Sequence, residues 1–238
     1  MVSVRIAALY DVHGNLPALE AVLAEAAASP FDRIVVGGDV VAGPMPREVL
    51  SLIRNLGDHT VWVRGNGDRQ PGPWVADKLN AKEHRFLRDL PTSVTLDVDG
   101  LGQTLFCHGS PRSDEEILTS VSPERRVAAA LAGVSERVVV CGHTHTQFDR
   151  EVAGVRLVNA GSIGMPYEDR VGAYWALLGP NVDLRRTDYD VEVAVRRMRK
   201  AGYPDENHLE NLVNAPSGEE ATAFFESQAQ DANFEKDW

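Results

Sequence analysis

The chain has 238 residues, enough for one sizeable domain, and its 43% hydrophobic and 25% charged residues are the balance of a soluble globular protein. With 24 basic against 35 acidic residues the formal net charge is −11, which repels nucleic acid and anionic membranes at long range and excludes a non-specific DNA binder. No apolar run approaches the ~20 residues of a membrane span, and no signal-peptide pattern opens the chain. Two cysteines, Cys107 and Cys141, are too few for a disulfide framework, so the expectation is a cytoplasmic protein with reduced thiols.

The N-terminal half alternates between strand and helix patterns. "VSVRIAALY" is a buried strand rich in β-branched residues, and "NLPALEAVLAEAAA" repeats Leu16, Leu19, Val22 and Leu23 at helical spacing, with Pro17 near the start where it is tolerated. "FDRIVVGGD" is a second strand, "PREVLSLIRNLG" a helix stopped by Gly57, and "HTVWVRGN" a third strand. Such alternation predicts a largely parallel sheet. "RQPGPWVADKLN" reads as a loop leading into a helix that continues through "KEHRFLRDL" to Pro91. "SVTLDVDGLGQTLFCHG" predicts a hairpin around a tight "DG" turn. "SPERRVAAALAG" predicts a helix with Ser122 as N-cap and Gly133 as C-cap, and "RVVVCGH" a short buried strand. "QFDREV", "VRLVNAG", "GAYWALLG" and "VDLRRTDY" then read as an antiparallel sheet portion. A helix runs to Gly202. Beyond it, a single domain over 1–238 carries an acidic C-terminal appendage at 203–238, either an added helix or partly disordered, with Phe224, Phe225, Phe234 and Trp238 scattered along it.

The chemistry collects where strands end. The strand-end motifs are "YDVHGN", "VVGGDVVAG", "VRGNGD", "FCHGS" and "CGHTH". Ligand sites in open α/β sheets lie beyond the carboxyl ends of strands. Asp11, His13, Asp39, Asn66, His108, His143 and His145 are therefore expected neighbours in space. Two carboxylates, one amide and four imidazoles without a thiolate suit Mn²⁺, Fe or Zn²⁺ rather than a structural zinc site. Seven ligands exceed the need of one catalytic ion and match two ions about 3.5–4 Å apart, sharing a carboxylate. Singly, each motif is more often structural; the joint occurrence, in order and each after a strand, is what carries the inference.

The series "DxH", "GD", "GN", "H", "GHxH" resembles the calcineurin-like metallophosphoesterases over roughly residues 4–165. "HGSP" at 108–111 and "SIGMP" after "NAG" look like the small bacterial and archaeal phosphodiesterase branch. The resemblance implies an α/β fold, a four-layer α-β-β-α sandwich of two mixed sheets. It implies two divalent ions, Mn²⁺ foremost with Fe, Zn²⁺ and Ni²⁺ as alternatives. Asp11, His13 and His145 would hold one ion, Asn66, His108 and His143 the other, and Asp39 would bridge; Asp11, Asp39, Asn66 and His108 are the expected catalytic residues. The implied activity is hydrolysis of phosphodiesters or activated phosphomonoesters by metal-hydroxide attack. The expected partner is a small phosphate ester, nucleotides included, and neither long nucleic acid nor membrane.

The sequence departs from the family at Gly67, where many members carry a histidine acting as general acid or phosphate contact. Asp68 remains without the imidazole it would orient. The alternative reading is a protein-binding scaffold, as in the retromer subunit that shares the family's fold with a degraded metal site; retention of all seven positions argues against it. Asn15, Arg64, Gly67 and Arg112 are the candidate substrate contacts. Asn15 either touches phosphate or caps the first helix, Arg64 binds phosphate or pairs with an acid, and Arg112 reaches substrate or stays on the surface. His59, His84 and His208 match no motif and are expected on the surface, and the cysteines are read as small core residues.

Overall fold

The computed structural model describes residues 4–234. The first three residues and Trp238 of the tail lie outside the described residues, and the Phe234 side chain is likewise not described. The elements follow as β1 (Ile6–Leu9), α1 (Leu16–Ala26), β2 (Arg33–Val36), α2 (Pro46–Arg54), β3 (Thr60–Trp62), α3 (Asn66–Arg69), α4 (Pro73–Lys78), α5 (Ala81–Arg88) and the hairpin β4 (Ser93–Val98) with β5 (Gly102–Cys107). Then come α6 (Glu124–Ala130), β6 (Val138–Cys141), β7 (Phe148–Val152), β8 (Val155–Asn159), β9 (Ala173–Leu178), β10 (Val182–Thr187), α7 (Val191–Lys200), α8 (Glu206–Val213) and α9 (Gly218–Phe234).

Two five-stranded mixed sheets form, ordered β10-β9-β1-β2-β3 and β4-β5-β6-β8-β7. The period-2 alternation of strand side chains makes the layers. On β1, Ala7 and Leu9 face α1 and α2 in one core, while Ile6, Ala8 and the following Tyr10 face the second sheet. On β6, Val138 and Val140 meet the first sheet, whereas Val139 and Cys141 pack under α6. Both central strands are buried on two faces and read as continuous apolar runs. The product is the expected α-β-β-α sandwich.

Local features differ from the sequence reading in four places. The last four strands are not one antiparallel unit: β8 runs parallel to β6 in the second sheet, while β9 crosses to the first and lies antiparallel to β1. A periodic strand signal does not say which sheet a strand joins. The helix expected over 75–90 is two, because Asn80 starts α5 with its own capping box to Glu83. α2 stops at Arg54, short of Gly57, whose φ of 73° opens a one-turn 3₁₀ helix. Ser122 does not cap α6. Pro123 stands at that position, and the Ser122 hydroxyl accepts from the Thr119 amide and donates to Glu226. The tail forms α8 and α9, with α8 packed against α7 around Met198, Leu209 and Leu212.

Candidate metal centre

All seven strand-end residues of the sequence reading occupy one edge of the sandwich. Six non-glycine residues have positive φ among the described residues. Five of them are Asp11 (51°), His13 (45°), Asp39 (51°), His143 (67°) and His145 (58°). A left-handed L-residue costs roughly 1–2 kcal/mol, so the surrounding structure must hold each in place. The kink turns each chain sharply as it leaves its strand. The Asp11 amide donates to Gly38 O (3.1 Å), the His13 amide to Asp39 O (2.9 Å) and the Gly142 amide to His108 O (2.8 Å), lacing neighbouring loops together. Gly43 is required by space: a Cβ there would stand 1.8 Å from His13 O.

Three imidazoles are oriented in the same manner. Nδ1 of His13, His108 and His145 lies 2.9, 2.9 and 2.8 Å from the carbonyl oxygens of Ala42, Gly37 and Met165. A carbonyl accepts only, so each Nδ1 carries the proton and each Nε2 turns a lone pair inward. The inward atoms converge. His13 Nε2 and His145 Nε2 are 3.0 Å apart, and Asp11 Oδ1 is 3.6 and 3.2 Å from them. His108 Nε2 lies 3.0 Å from Asn66 Oδ1, 3.5 Å from Asp39 Oδ1 and 3.9 Å from Asp11 Oδ1. Asp39 turns its other oxygen, Oδ2, to within 3.8 Å of His13 Nε2. Asp11, His13 and His145 thus form one converging set, and Asp11, Asp39 and His108 a second.

Lone pairs facing one another at 3 Å repel unless a cation lies between them, and Asp11 Oδ1 is buried with no hydrogen-bond partner. The electrostatics agree. Burial opposes charge on His13, yet the Asp11 carboxylate 3.6 Å away and the charge of Asp39 raise its pKa to about 9. Burial likewise opposes charge on Asp11, and the His145 and His108 charges still hold it well below the usual carboxylate range. Burial, with the nearby His108 charge, pushes His143 down to about 4. The donors fit divalent cations. His143 stands further out: its amide donates to Asp11 Oδ2 (2.9 Å), and its ring centroid is 5.3 Å from that of His108.

The four candidate substrate contacts fare differently. Asn15 is fully buried and its groups are engaged: Oδ1 accepts from the Ala18 amide, and Nδ2 donates to Gly164 O and the Tyr189 hydroxyl. It caps α1 and ties it to the 160s loop. The Gly67 amide donates to Asp39 Oδ1 at 2.7 Å, so it orients a carboxylate rather than facing substrate. Arg112 pairs with Glu116 and donates to Ala129 O. Arg64 has no acid partner; its Nη1 donates to Arg88 O (2.7 Å). Asp68 is buried too, accepting from the Val40, Val41 and Gly65 amides. Burial and the Asp39 charge raise it to about 6.

Several residues escaped the sequence reading. Tyr167 stacks on His145 (centroids 5.1 Å apart, 24°), and Phe225 of α9 lies 6.1 Å from Tyr167 and 6.4 Å from His143. α9 is pinned by Glu226, which accepts from Thr119 and Ser122 at 2.6 Å and pairs with Arg126. His208 is not on the surface: it is 6% exposed, its Nδ1 is 3.2 Å from the Tyr203 hydroxyl, and its Nε2 has no partner. Asn159, in the "NAG" motif, donates to Gly142 O (2.7 Å) and Thr144 Oγ1 (3.0 Å), bracing the loop that carries both histidines. None of the others has a sequence signal, because an aromatic in a loop or on a polar helix has no period that points to a site.

A metallophosphoesterase sandwich with acidic and imidazole donors at the strand ends defines the class. The calcineurin-like phosphoesterase superfamily domain matches residues 4–178, and the chain belongs to that superfamily. The chain is 29% identical to a metallophosphoesterase from Sphaerobacter thermophilus, covering 88% of this chain and 98% of that one with a TM-score of 0.72. It has the fold of the hypothetical protein PH1004 from Pyrococcus horikoshii OT3 (TM-score 0.74, 23% identity, 87% and 97% covered). It is also 25% identical to the uncharacterized protein MJ0912 of Methanocaldococcus jannaschii, over 86% of this chain and 96% of the relative. Among the described residues no helix is long and apolar enough to cross a membrane.

Proposed function

We propose that the chain is a dinuclear metal-dependent phosphoesterase acting on small phosphodiesters or activated phosphomonoesters. The observation that carries this reading is the convergence of inward Nε2 atoms on an orphaned Asp11 Oδ1, built from loops held in left-handed geometry. Asp11, His13 and His145 would hold one cation, Asn66, His108 and His143 the other, and Asp39 both, since its two oxygens face opposite sets. Divalent cations there supply Lewis-acid polarisation of a phosphoryl oxygen and bring the pKa of a water from about 15.7 to near 7.

The chain's own residues do the rest. The backbone carbonyls of Ala42, Gly37 and Met165 fix a proton on Nδ1 of three imidazoles and aim each Nε2 inward. Gly67 steadies Asp39 through its amide. The aromatic rings of Tyr167 and Phe225 flank His145 and His143 on one side. Neither Gly67 nor the fully engaged Asp68 offers a proton to a leaving group.

The test is reconstitution of metal-free protein with Mn²⁺, Zn²⁺ or Ni²⁺, followed by elemental analysis and hydrolysis of bis-(p-nitrophenyl) phosphate. Two ions per chain and metal-dependent turnover are expected, with rates falling steeply across aryl and alkyl diesters as the leaving-group pKa rises. Metal binding without turnover on any ester would favour the scaffold alternative.

A further inference from the structure

A cavity of about 210 Å³ opens beside the centre, lined by Arg64, Arg69, Arg112, Ser110, Ser113 and Asp114 among others. Its position follows from the chain. Arg64 precedes Asn66 by two residues and Ser110 follows His108 by two, and two residues span at most about 7 Å. The cavity therefore lies near the Asn66–His108 side of the cluster.

Its charges are unevenly matched. Arg69 is held by Asp114 (2.9 Å) and Glu115 (2.8 Å), and Arg112 by Glu116. Asp114 spends both oxygens on Arg69. Among the described residues Arg64 forms no ion pair, unlike the two arginines beside it in the cavity. Its Nη1 donates to Arg88 O and its Nε is buried away from solvent, while Nη2 makes no hydrogen bond among the described residues. A guanidinium with a terminal nitrogen left unpaired at the wall of a polar cavity is a site for an anion, and its planar end matches a phosphate oxygen pair.

We propose that this cavity is a second anion subsite, centred on Arg64, that takes a phosphate group of the substrate remote from the scissile one. The preferred substrate class is then a phosphodiester carrying an additional terminal phosphate, such as a 5′-phosphorylated dinucleotide. The inference rests on the reading of the strand-end cluster as a phosphoesterase centre. The Arg69 and Arg112 ion pairs shape the cavity and leave its one uncompensated charge at Arg64.

The experiment compares two dinucleotides, pTpT and TpT, on the metal-loaded protein. The expected kcat/KM is higher for pTpT by about tenfold or more, the scale of a hydrogen bond to a charged group. Arg64→Ala should bring the pTpT-to-TpT ratio close to one, and Arg64→Lys should restore part of it by keeping the charge without the fork. Calorimetry of pTpT on metal-free protein gives a readout independent of turnover, with weaker binding expected for Arg64→Ala. A wild-type ratio near one, or a proportional loss on both dinucleotides in Arg64→Ala, overturns the subsite while leaving the hydrolase reading intact. If no phosphate ester is hydrolysed, bis-(p-nitrophenyl) phosphate included, that reading falls, and the calorimetric comparison of wild type with Arg64→Ala still decides the subsite.

Discussion

Asp11, His13, Asp39, His143 and His145 come from short loops whose backbone is held in the left-handed region by hydrogen bonds from neighbouring loops. Phe225 and His208 come from α9 and α8, regular helices beyond residue 178, where the superfamily match ends. The two regions meet where Phe225 lies 6.4 Å from His143. The loops offer donors at fixed positions and tolerate almost no change, because each kink depends on partners from other strands. The helices offer apolar and neutral surfaces, and no proposed metal ligand lies on them. The contrast teaches that the chemistry of this site and its surroundings are separable.

Asp39→Asn should break the loop region outright. It keeps the shape but removes the charge that both proposed ions share. Hydrolysis should fall to background and bound metal to fewer than two ions per chain by elemental analysis. Near-normal turnover would show that Asp39 does not serve both ions. Restoring the family's histidine is not a simple graft either. A Cβ at position 67 would meet the Ala42 Cβ at 2.7 Å, so Gly67→His needs Ala42→Gly beside it before its leaving-group dependence can be read.

The helical region should respond through stability instead. Burial first, then the nearby His13 charge, holds His208 down to about 4. Above about pH 6.5 the ring is neutral in folded and unfolded chains alike, and its burial carries no protonation penalty. As pH falls from about 6.5 to 4 the unfolded chain takes up the proton first, so up to about 3 kcal/mol of stability is lost. Urea midpoints of wild type and His208→Leu at pH 7 and pH 4.5 should show the smaller pH dependence in the variant. Equal dependence would mean that His208 is not held neutral.

Phe225→Ala should sharpen the division between the regions. Metal content should stay unchanged, while KM for bis-(p-nitrophenyl) phosphate rises several fold as the half-buried aromatic wall is lost. Metal loss in this variant would show that α9 helps to build the centre itself. The smallest effect belongs to Cys107→Ala with Cys141→Ala. Both thiols are free and buried on adjacent strands, and burial raises both pKa values. The double variant should keep its metal and a rate within about threefold of wild type.

The strand and helix pattern and the seven donors were legible in the sequence for a local reason. Each donor lies within four residues of a strand's end, most in glycine-containing turns, and a strand end next to a tight turn is decided within a few residues. The roles of Asn15, Gly67 and Asp68 were not legible, since their partners lie elsewhere: Asn15 reaches Gly164 and Tyr189, and Asp68 takes amides near position 40. His208 shows no period that separates a buried polar residue from an exposed one. Its burial comes from the docking of α8 on α7 and from the Tyr203 hydroxyl.

By itself, then, the sequence determined the sandwich and the strand-end cluster of acidic and imidazole residues, because alternation of apolar residues and turn chemistry act at short range. Only the tertiary structure decided which nitrogen of three histidines faces inward, which carboxylate oxygen is left without a hydrogen bond, and which arginine of the neighbouring cavity has no acid among the described residues. Those outcomes depend on groups such as His13 and His145, which are 132 positions apart in the chain and 3.0 Å apart in space. Hydrogen-bond direction and charge matching are set by distance in the folded chain, and no local pattern carries that distance.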